Sequence, residues 1–149
     1  EIQQIGIPPI KGIDKDYYFL QPVYDTKGII YSPVENNKVM IRSIIGKDTC
    51  IKLIDRAKNC KKDEALNEKI HPSRYDEMVK SQDVIQLMHL VRALFNIKND
   101  RAKELRRMKS ADNRMLATAR KLLYGEIAAA MNEDYTAMSE QMDNYLSVL

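Results

Sequence analysis

The pattern of apolar and polar residues changes near Gly46. Before this point, three runs rich in aromatic and β-branched residues predict strands at 17–24, 29–34 and 39–45, and turn signals separate them. After it, the apolar residues recur at the spacing of amphipathic helices. The pattern therefore predicts a small sheet followed by a helical bundle.

The residues before the first of these runs predict one more strand. Ile2, Ile5 and Ile7 precede and enter a loop at 6–16 that is rich in Gly, Pro and Asp. Because this predicted strand includes the first residues of the sequence, we expect the natural chain to begin earlier.

Two prolines lie inside the predicted strands. Pro22 and Pro33 cannot donate a backbone hydrogen bond, so each marks a sheet edge or an irregularity. Such an edge either protects the sheet against aggregation or offers its backbone groups to a partner strand. The pattern alone leaves both interpretations open.

The strongest helical signal starts at Val84 and continues to about Arg107. Asp83 is a suitable N-cap for this helix. A single apolar stripe runs along it, formed by Val84, Leu87, Met88, Val91, Leu94 and Phe95. A stripe of this regularity is expected to be buried against other helices.

Two shorter helices are predicted before it. Asp48 or Thr49 is expected to cap the first, whose apolar face is formed by Ile51, Leu53, Ile54 and Ala57. A weakly patterned segment at 58–72 follows, and then a short helix at about 73–80 that carries Tyr75 and Met78.

Two further helices are predicted after it. Ser110 is expected to cap a helix that ends near Asn132, and Asp134 is expected to start the last helix. The apolar positions of the Ser110 helix are Met115, Leu116, Ala119, Leu122, Leu123 and Ile127.

The motifs of catalysis and metal binding are absent from the sequence. Cys50, Cys60, His71 and His89 are too widely spaced for a metal-ligand motif, and we expect a structural role for His89. No activated-nucleophile motif or glycine-rich phosphate loop is present. We predict that the protein is not an enzyme and uses no cofactor, metal or small-molecule substrate.

Composition indicates a cytoplasmic protein. No apolar run approaches the roughly 20 residues that are needed to cross a bilayer, and no signal segment opens the chain. The two cysteines have no local partner motif, which suits a reducing compartment.

Positive charge is concentrated between residues 98 and 121, where nine Lys and Arg face three Asp and Glu. Residues 122–149 carry no Lys or Arg and five acidic residues. A focused charge attracts polyanions, and contacts to five or six phosphates would give a salt slope of about −5. The candidate DNA-binding residues are Lys98, Arg101, Arg106, Arg107, Lys109, Ser110 and Arg114. The alternative is a solvated helix face stabilised by pairs such as Asp100 with Lys103.

Several segments also resemble a known family. In chain order, PPIKG, YYFLQPVY and IIYSPVENNKVMIR resemble the RNA-polymerase interaction domain of bacterial CarD-like transcription regulators. The segments SQDVIQLMHLVRALF and SADNRMLATARKLLYGEIAAAM resemble the helical DNA-binding domain of the same family. The resemblance extends over nearly all 149 positions.

The resemblance implies an α+β protein of two domains. Residues 1–46 would form a small Tudor-like antiparallel β-barrel that lacks its first strands, and residues 47–149 an all-α helical bundle. The barrel, related to the polymerase-binding module of transcription-repair coupling factors, would pair strand edges with the RNA polymerase β subunit through Ile29, Ile30, Tyr31, Ser32 and Pro33. Without its first strands, it would leave an edge open, borrow a strand from a second copy, or be completed outside this sequence.

The resemblance also implies how the helical domain acts. In this family it contacts the upstream edge of the transcription bubble, with phosphate contacts and an apolar wedge in the minor groove. Most relatives use a tryptophan as the wedge, and this chain has none. That position falls near Glu64, where Leu66 and Ile70 are the nearest large apolar residues.

Together these observations predict a bacterial transcription regulator that binds RNA polymerase and double-stranded promoter DNA and modulates the stability of the open complex. The alternative is an adaptor that binds RNA polymerase or another acidic partner without contacting DNA.

Overall fold

The computed structural model describes residues 1–35 and 41–149. The chain divides into two units, Glu1–Ser43 and Ile44–Leu149. The polymerase-binding and DNA-binding roles assigned to residues 1–46 and 47–149 stay predictions.

The first unit contains a three-stranded antiparallel sheet. Its strands lie in the order β1 (Ile2–Gly6), β2 (Tyr17–Leu20) and β3 (Ile30–Pro33). Phe19 in the central strand pairs with Gln4 on one side and with Tyr31 on the other. The Phe19 side chain is buried, and its ring meets that of Tyr31 edge-on, with the centroids 4.9 Å apart. This aromatic pair holds β2 and β3 together.

The strand predicted around Ile2 and Ile5 is confirmed as β1. The other two strands are shorter than the apolar runs that predicted them. β2 ends two residues before Pro22, and Pro33 is the last residue of β3. Each strand thus ends at or before the proline, as expected for a residue without a backbone donor.

The strand predicted at 39–45 is wrong where the structure describes it. Residues 39 and 40 lie outside the described residues, and residues 41–45 form no strand. Ile41 and Ile44 are exposed, while the backbone N–H of Ile45 donates to a carboxylate oxygen of Glu126, 3.1 Å away. Ile45 therefore packs against the helical core instead of joining a sheet. The sheet of the described residues is open, and they do not form a closed barrel.

The second unit contains six α-helices among the described residues. These are α1 (Lys47–Lys58), α2 (Glu64–Asn67), α3 (Tyr75–Ser81), α4 (Val84–Lys103), α5 (Ser110–Met131) and α6 (Tyr135–Leu146). Short 3₁₀ turns at Cys60–Lys62 and Pro72–Arg74 precede α2 and α3. An antiparallel sheet followed by these helices confirms the α+β class.

Helix α4 lies at the centre of the helical core. All six residues of its predicted stripe are buried, and the Asp83 carboxylate accepts hydrogen bonds from the backbone N–H groups of Ile85 (2.8 Å) and Gln86 (3.2 Å). The predicted N-cap is therefore confirmed. The helix ends at Lys103, four residues earlier than predicted.

Arg92 is a charged residue inside this core, with only 4% of its surface exposed. Its guanidinium donates to the backbone carbonyls of Leu146 (2.8 Å) and Val148 (2.6 Å) and to Oδ1 of Asn67 (3.0 Å). The last carbonyls of a helix have no partner within the helix. Arg92 supplies donors to this region and so ties the end of α6 to α4.

The ends of α5 and α6 are partly as predicted. Ser110 is not the N-cap of α5 but its first helical residue, and Lys109 before it makes no side-chain cap hydrogen bond. The predicted start of α6 is confirmed, because the Asp134 carboxylate accepts from the N–H of Ala137 at 3.0 Å. Leu122, expected on the buried stripe of α5, is 38% exposed. The next residue, Leu123, is fully buried and belongs to the core.

One residue of the predicted apolar face of α1 is exposed as well. Ile51 was predicted on its apolar face but is 50% exposed, and Cys50 takes the buried position together with Leu53, Ile54 and Ala57. The helix starts at Lys47, with Gly46 as its N-cap instead of Asp48 or Thr49.

In the part of the chain that the structure describes, no helix is long and apolar enough to span a membrane.

Candidate nucleic-acid interface

The connection between α4 and α5, residues 104–109, is a tight turn fixed by backbone hydrogen bonds. The N–H of Arg106 donates to the carbonyl of Arg101 (2.8 Å), and the N–H of Leu105 donates to that of Ala102 (3.0 Å). With Leu105 in the left-handed conformation (φ 56°), this is the Schellman pattern of a helix C-terminus. The turn therefore leaves α4 with a defined geometry.

The seven candidate DNA-binding residues surround this connection. Lys98 and Arg101 lie in the last turns of α4, and Ser110 and Arg114 lie in the first turns of α5. The other three, Arg106, Arg107 and Lys109, belong to the connection itself. We call the six cations of this set the basic surface: Lys98, Arg101, Arg106, Arg107, Lys109 and Arg114.

Two ion pairs in this region match the solvated-face alternative. Lys103 Nζ lies 3.3 Å from Asp100, and Arg106 Nη1 lies 3.8 Å from Glu104. More than half of each of these four side chains is exposed. Exposed pairs of this kind contribute about 0–1 kcal/mol each, so they compete weakly with another anion.

Four cations of the basic surface lack such ion pairs among the described residues. Within residues 1–35 and 41–149, no carboxylate forms an ion pair with Lys98, Arg107, Lys109 or Arg114. All four are exposed. Of these, Arg107, Lys109 and Arg114 add positive charge near the N-terminus of α5, where backbone N–H groups also favour an anion.

A groove of about 600 Å³ lies beside the end of α4. Four cations line it, and so do three acidic residues: Lys69, Arg101, Lys103 and Arg106 with Glu68, Asp100 and Glu104. Because the carboxylates offset most of the positive charge there, the groove favours an anionic ligand less than the exposed unpaired cations do.

The five residues predicted to contact RNA polymerase lie in or beside β3. Among the described residues, β3 forms a strand pair with β2 alone. Ile29 and Ile30 are 55% and 56% exposed, whereas the ring of Tyr31 packs on Phe19. The two isoleucines therefore form the exposed apolar part of this predicted contact.

A comparison with protein families identifies the helical unit. Residues 52–143 match the family model described as CarD, C-terminal domain. The chain belongs to the CarD family. The matched range begins in α1 and ends in α6, so it contains the whole basic surface. A search of curated proteins gave no match.

CarD membership indicates a role in transcription with RNA polymerase as a partner. The position of the wedge residue that the resemblance implies falls near Glu64. Leu66 is 1% exposed and belongs to the core, while Ile70 is half-buried and packs against that core. Neither nearby residue presents a free apolar side chain to DNA.

Several polar groups of this CarD domain have structural partners, whereas Tyr75 Oη and Ser139 Oγ are buried without a hydrogen-bond partner among the described residues. His89 Nε2 lies 3.0 Å from the carbonyl of Glu68, and because a carbonyl only accepts, this nitrogen carries the hydrogen. Cys60 Sγ donates to the carbonyl of Tyr145 at 3.1 Å. In the described ranges no group of three or more His, Cys, Asp and Glu residues is arranged to hold a metal ion.

Sequence reasoning missed the segment that supports α4. Asp63 caps α2 by accepting from the N–H of Leu66 (3.0 Å) and also binds Arg56 Nε (2.6 Å). Asn67 then accepts from Arg92 and donates to the carbonyl of Cys60 (2.6 Å). The segment looked like a linker because these are single polar contacts without an apolar period; the Asp63 cap was the only local signal.

Proposed function

We propose that this CarD-family protein is a transcription regulator that binds the RNA polymerase β subunit and the promoter duplex at the upstream edge of the bubble, and thereby changes the stability of the open complex. On this proposal it is a cytoplasmic protein and not an enzyme. The observation that carries the DNA part is the cluster of four exposed cations, Lys98, Arg107, Lys109 and Arg114, without carboxylate partners among the described residues.

Electrostatics supports DNA as the ligand of the basic surface. When unpaired protein cations bind phosphates, the counterions condensed on the DNA are released, and this release favours binding. A cation that already pairs with a carboxylate contributes less to the binding free energy. The N-terminus of α5 adds backbone donors and a positive dipole beside Arg107 and Lys109. Such contacts position a protein on a duplex without reading its sequence.

The exposed residues in and beside β3 support docking by strand pairing. Strand pairing supplies main-chain hydrogen bonds, and the exposed Ile29 and Ile30 offer apolar area to a partner strand. We also propose that the sheet is part of a Tudor-like barrel, in which a further strand covers the opposite edge.

A charge-reversal experiment separates this proposal from an adaptor that does not contact DNA. We would compare Arg107→Glu/Arg114→Glu with Lys52→Glu/Lys80→Glu, a pair of exposed lysines in α1 and α3 with the same change of charge. Affinity for the promoter–polymerase complex should fall for the first pair, while docking on the isolated polymerase lobe stays unchanged. Equal affinities of the two double variants would support the adaptor instead.

A second experiment tests the docking edge. Ile30→Glu places a charge on an exposed side chain of β3, and Ile7→Glu places the same charge on a 60% exposed isoleucine in the loop after β1. Tyr31 is a poor choice because its ring packs on Phe19, so its replacement would disturb the sheet. Co-purification with the isolated β lobe should be lost only for Ile30→Glu. Retention by both variants would rule out β3 as the docking strand.

A further inference from the structure

A pocket of about 320 Å³ lies where α1 and α6 end. Lys58 is the last residue of α1, and Lys61 and Lys62 follow it in the short 3₁₀ turn. Asn144 and Tyr145 line the pocket from the end of α6. Among the described residues, no acidic side chain and none of the six cations of the basic surface lines this pocket. It is therefore a separate site whose lining is purely cationic and neutral.

The three lysines have only weak partners in the described part of the chain. Lys58 forms an exposed ion pair with Asp55 at 3.8 Å, and its ammonium lies 5.7 Å from the centre of the Tyr145 ring. Lys61 and Lys62 are exposed and form no ion pair with a described carboxylate. Their charge is therefore available to an anion from solution.

Two acidic residues follow these lysines in the chain and offset them only in part. Asp63 is bound to Arg56 Nε at 2.6 Å and accepts the N–H of Leu66 at the start of α2. Glu64 is exposed and lies outside the lining of the pocket. The lining itself thus differs from that of the larger groove beside α4, where three carboxylates offset four cations.

Lysines near a helix C-terminus often serve the helix, because its last carbonyls lack partners and carry partial negative charge. At the end of α1 these carbonyls already have other donors. The N–H and the side-chain amide of Asn59 donate to the carbonyl of Asp55, and the Asn67 amide donates to that of Cys60 at 2.6 Å. Capping of α1 therefore does not require the lysine ammonium groups.

Arg92 adds a buried positive charge behind the pocket. Its Nη1 lies 2.6 Å from the carbonyl of Val148, a residue that lines the pocket. Its other acceptors, the carbonyl of Leu146 and Oδ1 of Asn67, are neutral as well. No described carboxylate pairs with this buried cation, so it attracts an anion that approaches from solvent and offsets the negative end of the α6 dipole.

We propose that this pocket binds the pyrophosphate group of a small molecule, such as inorganic pyrophosphate or a nucleoside di- or triphosphate. Lysine binds phosphate as a point charge, and the volume falls in the range of small-molecule sites. Three cations around one concave site match several negative charges carried close together. The singly charged phosphates spaced along DNA fit such a site less well. This site does not depend on the proposed binding of DNA.

Calorimetric titration of the whole protein with inorganic pyrophosphate at low salt tests the proposal. We would compare wild type with Lys61→Gln/Lys62→Gln, and with Lys61→Arg/Lys62→Arg, which keeps both charges. Lys52→Gln/Lys80→Gln removes the same charge from exposed lysines outside the pocket. Arg107→Gln/Arg114→Gln removes it from the basic surface.

The expected result is one site in wild type, weakened at least about tenfold in Lys61→Gln/Lys62→Gln, because two charge-assisted contacts are lost. The other three variants should stay within about twofold of wild type. Orthophosphate should bind at least about tenfold more weakly than pyrophosphate. Equal affinity of the two anions would show general attraction of anions and would overturn the proposal.

Three further outcomes would also contradict it. The first is the absence of pyrophosphate binding by wild type, and the second is equal affinity of wild type and Lys61→Gln/Lys62→Gln. The third is displacement of pyrophosphate by a short duplex from wild type and from Arg107→Gln/Arg114→Gln alike, which would make DNA the ligand of the pocket. Loss of duplex binding in Arg107→Gln/Arg114→Gln with pyrophosphate binding retained would support both this site and the separate DNA surface.

Discussion

Replacing Arg92 by methionine tests how the end of α6 is held on α4. Methionine keeps the apolar length of the side chain but removes every donor. The carbonyl of Leu146, a fully buried residue, then loses a charged donor at 2.8 Å. Val148 and Asn67 are only half-buried, so water can replace part of what they lose.

The magnitude follows from these three contacts. A hydrogen bond from a charged donor contributes about 1.5–3 kcal/mol, and a buried acceptor left without a donor costs about 1–3 kcal/mol. With one buried acceptor and two that water reaches, we expect Arg92→Met to lower the free energy of unfolding by about 2–4 kcal/mol. The free energy of unfolding of Arg92→Lys should lie between those of wild type and Arg92→Met. A single ammonium group lacks the forked donors that reach Asn67 and the two carbonyls.

Urea unfolding followed by helical circular dichroism measures this change. With a slope of about 1–3 kcal/mol/M, the midpoint should fall by about 1–3 M. Arg74→Met is the control, since Arg74 is an exposed arginine of the same unit, and its effect should stay within about 0.5 kcal/mol. An Arg92→Met midpoint equal to that of the control would refute the role of Arg92 as an anchor of α6.

Two further predictions concern the titratable groups of the helical unit. The hydrogen bonds from Arg56 hold the pKa of Asp63 in the folded protein below its usual range. The ionised carboxylate therefore stabilises the fold fully at pH values above the unfolded pKa of about 4. This stability is lost as the pH falls through the lower pKa of the folded protein. Asp63→Asn should therefore cost about 1–2 kcal/mol at neutral pH and progressively less in acid, as unfolding curves between pH 2 and 7 would show; a pH-independent difference would contradict this. Burial raises the pKa of the Cys50 and Cys60 thiols, so a thiol reagent should label both in urea and neither in the native protein at neutral pH, and rapid native labelling would contradict the packing.

Long periodic elements were predictable from the sequence. The apolar stripe of α4 repeats over three turns, and its residues are all removed from water only if that face of the helix is buried. The Asp83 and Asp134 caps were predictable for a similar reason, because a carboxylate before a helix binds local N–H groups. The basic surface was equally visible, since its members are close along the chain.

Three other features were not predictable, because contacts distant in sequence decide them. Ile45 looked like strand, yet its N–H binds Glu126, 81 positions away. The choice between Cys50 and Ile51 as the buried residue of α1 depends on where α5 and α6 pack, and both residues are apolar. The anchoring role of Arg92 depends on carbonyls more than 50 positions away.

Leu105 marks a further limit of sequence reasoning. It follows the basic end of α4, where the helical pattern was expected to continue to Arg107. The early end of the helix and the left-handed turn became visible only in the structure, and with them the exposure of this side chain.

The salt dependence of duplex binding tests the central claim most directly. If Lys98, Arg107, Lys109 and Arg114 each neutralise a phosphate, log K should fall with log salt with a slope of about −3.5 or steeper. Arg107→Gln/Arg114→Gln should make the slope shallower by about 2, while Lys52→Gln/Lys80→Gln should leave it unchanged. Equal slopes for wild type and the Arg107/Arg114 variant would contradict the account.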